Sequence, residues 1–337
     1  MRAVFRADAS EAIGIGHVMR CLTLADELGR RGFRSVFAVA KGVPQFVPAL
    51  AASPHAVIEL ADPSRDVEAI TTDGAGDVVV VDHYARDAQF ERAIGKSARI
   101  VVAIDDLANR PHACDILLDQ THSRLAADYA PLLEKPAKVL VGASYCLVRP
   151  EFGAERERSL TFRRNRPEIK RVLVALGGSD AGDATGWVLD ALVGGQLHID
   201  VVMSSRAPWY AANRDRAARA AGRATLHADL DAAAYAALLA GVDAAVGAAG
   251  TSAWERCVLG VPSLITVIAD NQRLVAASLL EAGVANTFEA RGPGAPFARA
   301  LAGMRLAEMS ARAAAICDGK GCARVADAIC ERVGGIA

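Results

Sequence analysis

The feature that most constrains the fold is a regular alternation of short apolar runs with helix-like segments along all 337 residues. The runs at 77–82 (DVVVVD) and 99–104 (RIVVAI) are apolar at successive positions, as strands covered on both faces are. Runs at 3–6 and 171–176 each lead through a glycine loop into a segment with helical spacing. This alternation predicts an α/β fold built on parallel sheets with helices on both faces.

A highly charged segment at 150–170 separates two halves that share this rhythm. It lacks apolar periodicity, so we interpret it as the connection between two domains, over 1–149 and 171–337. The chain length agrees, since a domain has roughly 150 residues. The alanine-rich tail from Pro296 is predicted to be helical, with a break at Gly319–Gly321.

Composition excludes several classes of function. The chain has 38 basic and 39 acidic residues, so its formal net charge of −1 offers no field for nucleic acid or an anionic membrane. Aromatic residues make up only 5%, which disfavours base stacking. The seven cysteines lack CxxC spacing, so buried free thiols are expected rather than a zinc or redox motif. Without a signal-peptide pattern or an apolar stretch of ~18 residues, we expect a soluble, cytoplasmic protein.

The loops that follow strands carry the candidate site, because parallel sheets bind ligands beyond the carboxyl ends of their strands. After the first strand come Gly14 and Gly16, and His17 stands where the helix begins. Glycines let the backbone approach a ligand, and an imidazole can move a proton near neutral pH. The loop matches neither the dinucleotide fingerprint nor a GxxxxGK[ST] loop. The residues alone support a catalytic His17 and a plain turn equally. Arg20 could support His17 or a phosphate, or lie on a solvated face.

Carboxylates end two later strands. Asp82 begins the sequence Asp82-His83-Tyr84, and Asp105 follows the run at 99–104. A strand-end carboxylate can orient a base or bind sugar hydroxyls, and Tyr84 can hydrogen-bond a polar substrate. Alternatively, both aspartates cap the segments that follow them. Neither has the short ligand spacing of a metal site, so no metal is predicted.

Three loops in the second half follow strands and suit a nucleotide. Gly178 and Ser179 could receive a phosphate on backbone N–H groups and a hydroxyl, or could form an ordinary capped glycine turn. The sequence GAAGTSAWE (247–255) places small residues at a helix start, with Glu255 one turn in. These residues could bind the diphosphate and ribose of a nucleotide, or they could form a capping box at the start of the helix. The loop at 269–272 offers side-chain amides for sugar hydroxyls or acetamido groups. Together the three loops favour a nucleotide site.

With these motifs in place, the chain resembles the UDP-2,4-diacetamido-2,4,6-trideoxy-β-L-altropyranose hydrolases of pseudaminic acid biosynthesis. The resemblance spans nearly the whole chain and is carried, in order, by RADAS, IGIGHVMRCLTLA, VVVDHY, IDDLANRPHACDILLDQ, YCLVRPEF, LGGSDAGDAT, GAAGTSAWERCVLGVPS and ADNQ. That family is related to MurG-like glycosyltransferases of the GT-B class. The resemblance therefore implies a GT-B-like fold, in which two Rossmann-like domains face an interdomain cleft. It also implies that the C-terminal domain holds UDP and that the last helix can cross back to the N-terminal domain.

The resemblance further implies roles for individual residues. His17 becomes the base that activates water against the anomeric carbon, so that the C–O bond breaks with inversion and UDP leaves without a metal or other cofactor. Tyr84 would position the sugar or the water, Glu255 would hold the ribose, and the backbone near Leu230 would read the uracil. The expected site residues are catalytic His17 and Tyr84, with substrate-binding Gly14, Gly16, Arg20, Asp82, Asp105, Gly178, Ser179, Leu230, Gly250, Thr251, Ser252, Glu255, Asn271 and Gln272.

Three functions remain open at this point: the hydrolase, a GT-B glycosyltransferase or a hydrolase of a different UDP-diacetamido sugar, and a non-catalytic nucleotide-sugar-binding regulator. The first half lacks the apolar, basic docking patch of a membrane transferase. A titrating His17 in a glycine loop disfavours a regulator, which needs no such group. The expected partner is a small-molecule UDP-sugar, with no nucleic acid and no membrane, and we expect a monomer.

Overall fold

The computed structural model describes residues 1–10, 13–72, 76–164, 166–177, 180, 182–220, 222–289 and 294–335. The chain divides into two compact units. Unit 1 comprises Met1–Val148 and Lys320–Ala337, and unit 2 comprises Arg149–Gly319. All seven cysteines are free and six of them are buried.

Unit 1 is built on a seven-stranded parallel sheet with the strand order β3-β2-β1-β4-β5-β6-β7. Its strands are β1 (Arg2–Ala7), β2 (Arg34–Ala40), β3 (Ala56–Leu60), β4 (Val78–Asp82), β5 (Ile100–Ile104), β6 (Ile116–Asp119) and β7 (Lys138–Val141). Its helices are α1 (Gly16–Arg30), α2 (Val43–Phe46), α3 (Pro48–Ala51), α4 (Asp66–Thr71), α5 (Ala88–Ile94), α6 (Ala126–Tyr129) and α15 (Gly321–Gly334).

The valine-rich strands lie at the centre of unit 1 because both of their faces are covered. Val78 and Val80 pack into the core beneath α1, while Val79 and Val81 pack into the core on the opposite face of the sheet. Alternate residues of a strand point to opposite faces, so four consecutive valines fill both cores. The predicted buried strand at 77–82 is thereby confirmed.

The last helix, α15, belongs to unit 1. Its residues Cys322, Val325, Ile329 and Val333 recur at helical spacing and are buried in the core that α1 also enters. Full burial of an aliphatic side chain contributes about 1.5–3 kcal/mol. The sequence analysis placed all of 171–337 in the second domain, whereas the structure groups Lys320–Ala337 with unit 1.

Unit 2 is built on a six-stranded parallel sheet with the strand order β10-β9-β8-β11-β12-β13. Its strands are β8 (Arg171–Ala175), β9 (His198–Met203), β10 (Ala224–Ala228), β11 (Ala244–Ala248), β12 (Ser263–Thr266) and β13 (Ala285–Thr287). Its helices are α7 (Pro150–Arg163), α8 (Ala184–Leu192), α9 (Tyr210–Ala218), α10 (Ala232–Ala240), α11 (Ser252–Val258), α12 (Arg273–Glu281), α13 (Gly294–Ala302) and α14 (Leu306–Ile316).

The charged segment at 150–170 is mostly helix α7 and packs within unit 2. Its arginines bind backbone carbonyls: Arg163 donates to the carbonyls of Ala240 and Val242 over 3.1 and 2.7 Å, next to the end of α10. Burial lowers the pKa of Arg163 to about 10. A helix that docks through cations and carbonyls shows little apolar periodicity, which is why the sequence suggested a connecting segment instead.

Each sheet has one point where the chain changes direction across it. In unit 1 the chain runs from β1 outward to β3 and then returns to add β4 on the other side of β1. In unit 2, β8 and β11 are neighbours in the same way. The loops after two such neighbouring strands diverge and leave a crevice at the carboxyl edge, where α/β sheets bind their ligands.

Candidate functional site

A glycine turn after β1 brings His17 to the crevice of unit 1. The N–H of Gly14 donates to the carbonyl of Ser10 over 2.8 Å, and the φ of Gly14 is +74°, a value that glycine adopts without strain. Helix α1 begins at Gly16, so His17 lies in its first turn. Because β1 pairs directly with β4, this turn lies beside the residue that ends β4, which is Asp82.

The His17 imidazole is hydrogen-bonded to the Asp82 carboxylate. Nδ1 lies 2.6 Å from Oδ1, and the two side chains are 7% and 0% exposed. Burial alone would raise the pKa of Asp82, but Arg20 and His17 outweigh it and hold that pKa well below the usual range. An ionised carboxylate only accepts, so in the neutral ring Nδ1 carries the hydrogen and Nε2 presents its lone pair. Nε2 itself has no hydrogen-bond partner among the described residues.

Arg20, one turn after His17, links Asp82 to a second carboxylate, Asp106. Its Nε and Nη2 donate to the two oxygens of Asp82 over 2.6 and 2.7 Å. Its Nη1 and Nη2 donate to the two oxygens of Asp106, both over 2.9 Å. Burial would lower the pKa of Arg20, but Asp106 and Asp82 raise it well above the usual value. Arg20 is 4% exposed, so it does not lie on a solvated helix face.

Tyr84 completes what we call the His17 cluster (His17, Arg20, Asp82, Tyr84 and Asp106). The Tyr84 ring meets the imidazole edge-to-face, with ring centres 4.7 Å apart and planes at 84°. Its hydroxyl donates to Asp106 Oδ2 over 3.4 Å. The cluster fixes the orientation of the imidazole from two sides, through Asp82 at Nδ1 and through the tyrosine ring.

Asp105 has a different environment from its neighbour Asp106. Its Oδ2 accepts from the N–H of Ala108 over 2.8 Å and from the Tyr129 hydroxyl over 3.0 Å, and Arg110 pairs with Oδ1. Burial would raise the pKa of Asp105, but its hydrogen-bonded and charged neighbours hold it well below the usual range. These contacts match the capping alternative. Asp106, and not Asp105, contacts Arg20, so a contact between Asp105 and a ligand stays a prediction.

In unit 2, the loop after β11 carries Gly250, Thr251 and Ser252 into helix α11. Within the described chain, Thr251 makes no capping hydrogen bond with its side chain, and Ser252 Oγ accepts from Arg256 rather than from a backbone N–H. The capping-box alternative, which could start at either residue, is therefore wrong. Glu255 is 14% exposed, and its Oε1 accepts from Arg149 Nε and Nη2 over 3.1 and 2.8 Å. Burial raises the pKa of Glu255, with Arg149 opposing the shift. Both bonds go to one oxygen, which leaves Oε2 for another donor.

The loop after β12 lies beside the loop after β11. A β-carbon on Gly250 would lie 3.6 Å from Gln272 Nε2, and Gln272 Oε1 accepts from the N–H of Ile268 over 3.2 Å. Asn271 and Gln272 belong to a short 3₁₀ turn at Asp270–Gln272. The structure therefore brings two of the three predicted nucleotide loops together. Leu230, two residues after the end of β10 at the same edge of the sheet, is half-buried.

Gly178 and Ser179, which the sequence placed in the third nucleotide loop, lie outside the described residues. Over the described ranges, no group of three His, Cys, Asp or Glu side chains is arranged to hold a metal ion. Every helix in that part of the chain is too short or too polar to span a bilayer.

Solved structures establish the class of fold. MurG of Acinetobacter baumannii superposes with a TM-score of 0.69 and 14% sequence identity, over 98% of this chain and 100% of MurG. The calicheamicin glycosyltransferase CalG4 superposes with a TM-score of 0.61 and 16% identity, over 100% and 99% of the two chains. The chain thus has the GT-B-like fold with two Rossmann-like parallel-sheet domains, as predicted. Identities this low show the fold alone.

Among curated proteins, the chain is similar to the UDP-2,4-diacetamido-2,4,6-trideoxy-β-L-altropyranose hydrolase of Campylobacter jejuni, with 28% identity over 181 residues. This match covers 53% of the chain and 61% of the hydrolase, and it confirms the resemblance drawn from the motifs. An uncharacterized protein of Methanocaldococcus jannaschii is 24% identical over 210 residues, 61% of this chain and 43% of its own length. The matches span less than two thirds of both relatives. No family model matches the chain.

Two residues with evident roles at these edges were not among the expected site residues. Asp106 holds Arg20 and Tyr84, and Arg149 holds Glu255. The doublet Asp105-Asp106 gave a signal for the first, since it places a second carboxylate at the end of the same strand. Arg149 lies 106 positions from Glu255, and no local pattern in the sequence pairs them.

Proposed function

We propose that this chain is an enzyme that processes a UDP-linked sugar, and that the reaction is hydrolysis of UDP-2,4-diacetamido-2,4,6-trideoxy-β-L-altropyranose, a step of pseudaminic acid biosynthesis. The similarity to the Campylobacter jejuni hydrolase, whose name gives this substrate, supports the proposal. The observation that carries the proposal is the 2.6 Å contact between His17 Nδ1 and Asp82 Oδ1.

This contact makes His17 suitable as a general base. The ionised Asp82 accepts the Nδ1 hydrogen, so the lone pair of Nε2 is available to a water molecule. When Nε2 takes a proton from that water, Asp82 stabilises the imidazolium, as a carboxylate does beside other catalytic histidines. A correctly placed general base contributes about 10²–10⁴-fold to a reaction rate.

In the proposed reaction, the water oxygen forms a bond to the anomeric carbon on the face opposite UDP. The bond between that carbon and the phosphate oxygen breaks, and its electron pair leaves with UDP. The proton lost by the water goes to His17 Nε2. UDP is a good leaving group, so no strong general acid is required, and the configuration at the anomeric carbon inverts. Tyr84 positions the sugar or the water.

The residues of unit 2 are proposed to hold UDP. Backbone N–H groups and hydroxyls at Gly250, Thr251 and Ser252 would receive the diphosphate. The Glu255 Oε2 would accept from the ribose hydroxyls, and Gln272, with its neighbour Asn271, would bind the acetamido groups of the sugar. None of these interactions needs a metal, because backbone and side-chain donors can meet the diphosphate charge.

The test is UDP release from UDP-2,4-diacetamido-2,4,6-trideoxy-β-L-altrose supplied without an acceptor. Wild-type protein should release UDP, and NMR of the early product should show the inverted anomer. His17→Ala should lower the rate by about 10²–10⁴-fold and leave the Kd for UDP unchanged. The matched control is His198→Ala, because His198 is exposed at the beginning of β9, away from the carboxyl edge.

Other outcomes would replace the proposal. Binding of the nucleotide sugar without turnover would indicate a regulator. Turnover that requires an added acceptor would indicate a glycosyltransferase. Faster turnover of another UDP- or CMP-linked diacetamido sugar would change the substrate but keep the base. Unchanged turnover in His17→Ala would overturn the mechanism for every substrate.

A further inference from the structure

Among the described residues, unit 2 contains a buried cation that forms no salt bridge, next to the loop after β11. The cation is Arg256, on helix α11, whose side chain is 2% exposed. We propose that Arg256 is a positioning residue for a phosphoryl group, acting through the hydroxyl of Ser252. This inference rests on the proposed function, because it names the part of the site that would recognise the diphosphate of UDP.

The Arg256 guanidinium makes three hydrogen bonds, all to uncharged oxygens. Its Nη2 donates to the carbonyl of Ala248 over 2.8 Å, and its Nε donates to Ser263 Oγ over 3.0 Å. Its Nη1 donates to Ser252 Oγ over 3.3 Å. In the described part of the chain, no carboxylate oxygen lies within 4 Å of the guanidinium nitrogens of Arg256. The carboxylate of the adjacent Glu255 pairs with Arg149 instead.

A buried cation that is not paired with a carboxylate is costly. Burial lowers the pKa of Arg256 from its usual value, although Tyr235, Cys257 and the carboxylate of Glu255 act in the opposite direction. Buried cations in proteins are normally paired with a carboxylate or stabilised by a bound anion. A phosphoryl group near Ser252 would supply further negative charge, which makes this cation more useful for a ligand than for stability.

A glycine in strand β11 leaves room for the side chain of Arg256. Gly247 lies inside β11, where a glycine weakens the strand and often marks close approach of another group. A β-carbon on Gly247 would lie 2.6 Å from Arg256 Nη1, closer than two such atoms can come. The sequence therefore pairs Gly247 with Arg256, so that the guanidinium reaches the carboxyl edge of the sheet.

The bond from Arg256 sets the direction of the Ser252 hydroxyl. A serine hydroxyl has one hydrogen to donate and two lone pairs that accept. Because Arg256 Nη1 donates to Ser252 Oγ, that oxygen is an acceptor toward the protein interior, and its own hydrogen is left to point outward. An outward donor backed by a cation suits a ligand that only accepts hydrogen bonds, such as a phosphoryl oxygen. It does not favour a sugar hydroxyl in the same way.

The experiment compares UDP with uridine, which lacks the diphosphate, in wild type, Arg256→Met, Ser252→Ala and the double variant. We expect Arg256→Met to raise the Kd for UDP by about 10- to 100-fold, as for a lost charged hydrogen bond, with the Kd for uridine changed less than about twofold. Arg256→Lys, which keeps the charge, should retain part of the preference for UDP. In the Ser252→Ala background, Arg256→Met should cost less, because the two residues act together.

Equal losses for UDP and uridine in Arg256→Met would show a structural role only and would overturn the inference. Should Arg256→Met fail to fold, Ser252→Ala alone decides, because that side chain is only partly buried. An unchanged ratio of the two Kd values in Ser252→Ala would also overturn the inference. Wild-type protein that does not bind UDP would overturn the proposed function itself. If wild type releases UDP from the substrate, but Arg256→Met leaves the ratio of the Kd values for UDP and uridine unchanged, only the role of Arg256 would be overturned.

Discussion

The two units have the same strand order around their crevices but place different charged groups there. In the His17 cluster of unit 1, Asp82 and Asp106 provide two carboxylates against the single guanidinium of Arg20. In unit 2, the guanidiniums of Arg149 and Arg256 lie near Glu255, and the carboxylate of Glu151 is close enough to help raise the pKa of Glu255. A carboxylate bonded to an imidazole suits a group that takes up a proton, and guanidiniums near a loop with free donors suit a site that holds an anion. A few buried side chains thus specialise two similar sheet edges for different chemistry.

The largest effect is expected from Asp82→Asn, which tests the role of the carboxylate beside His17 in unit 1. The asparagine amide can donate to His17 Nδ1, which would move the ring hydrogen to Nε2 and remove the base. We expect kcat to fall by about 10²–10⁴-fold. The Kd for UDP should not change, because the nucleotide is proposed to bind unit 2. The matched control is Asp26→Asn, at an aspartate whose side chain is 53% exposed. Full activity in Asp82→Asn would contradict the role given to the negative charge of unit 1.

A second test concerns a buried cation of unit 1 that does have counter-ions. His112 lies between two carboxylates. Its Nδ1 is 2.8 Å from Glu91 Oε1, and its Nε2 is 3.6 Å from Asp105 Oδ2, which is an ion-pair distance but too long for a hydrogen bond. Burial would lower the pKa of His112, but these neighbours raise it from its usual 6.5 to about 9. The folded chain therefore holds the proton more tightly than the unfolded chain does.

The resulting stability, roughly 3 kcal/mol, should be complete below pH 6.5 and lost as the pH rises through about 9. Urea unfolding across this range should show the decline in wild type and a flatter profile in His112→Gln, which cannot gain the proton. The variant should be less stable than wild type at the acid end. Parallel profiles for the two proteins would mean that His112 does not carry this charge.

A third, smaller effect tests the carboxylate of unit 2. If Glu255 Oε2 accepts from the ribose, Glu255→Gln should raise the Kd for UDP by about tenfold, with little change in the Kd for 2′,3′-dideoxy-UDP. Wild type should prefer UDP over the dideoxy analogue, and the variant should lose most of that preference. Calorimetric titration with both nucleotides measures this. An undiminished preference would remove Glu255 from the ribose site.

The smallest expected effect is that of metal removal. Because backbone donors and the Ser252 hydroxyl, oriented by Arg256, are proposed to meet the diphosphate, activity should survive dialysis against EDTA. Initial rates before and after chelation, with magnesium added back as a control, measure this. Loss of activity that magnesium restores would require Asp82 and Asp105 to be reconsidered as metal ligands.

The sequence predicted the sheets well because their signal is local. Four consecutive valines at 78–81, all β-branched and flanked by aspartates, favour a short strand covered on both faces, and the glycine loop at Gly14 and Gly16 marks the turn into α1. The parallel-sheet class then followed from the alternation and from the family resemblance, whereas the order of the strands was not predicted. His17 and Asp82 could be proposed separately because each directly follows a predicted strand or loop.

The contacts that join these residues could not be predicted, because they depend on long-range packing. Whether Asp82 capped its own loop or reached His17 depended on β1 lying beside β4. For the same reason, the hydrogen bonds between Arg149 and Glu255 could not be predicted from the sequence. Helix α7 was missed for a different reason, since Arg163 stabilises it through carbonyl groups, which leave no periodic pattern in a sequence.

The return of α15 to unit 1 has a consequence for how the chain is made. A ribosome synthesises residues 1–148 before unit 2 and residues 321–334 after it. Until α15 emerges, the apolar surface that covers Val325 and Ile329 in the finished protein is not covered by this helix. Unit 2, continuous in the sequence, can complete its folding earlier. The unit that contains His17 therefore completes its folding after unit 2, although most of its codons are read before those of unit 2.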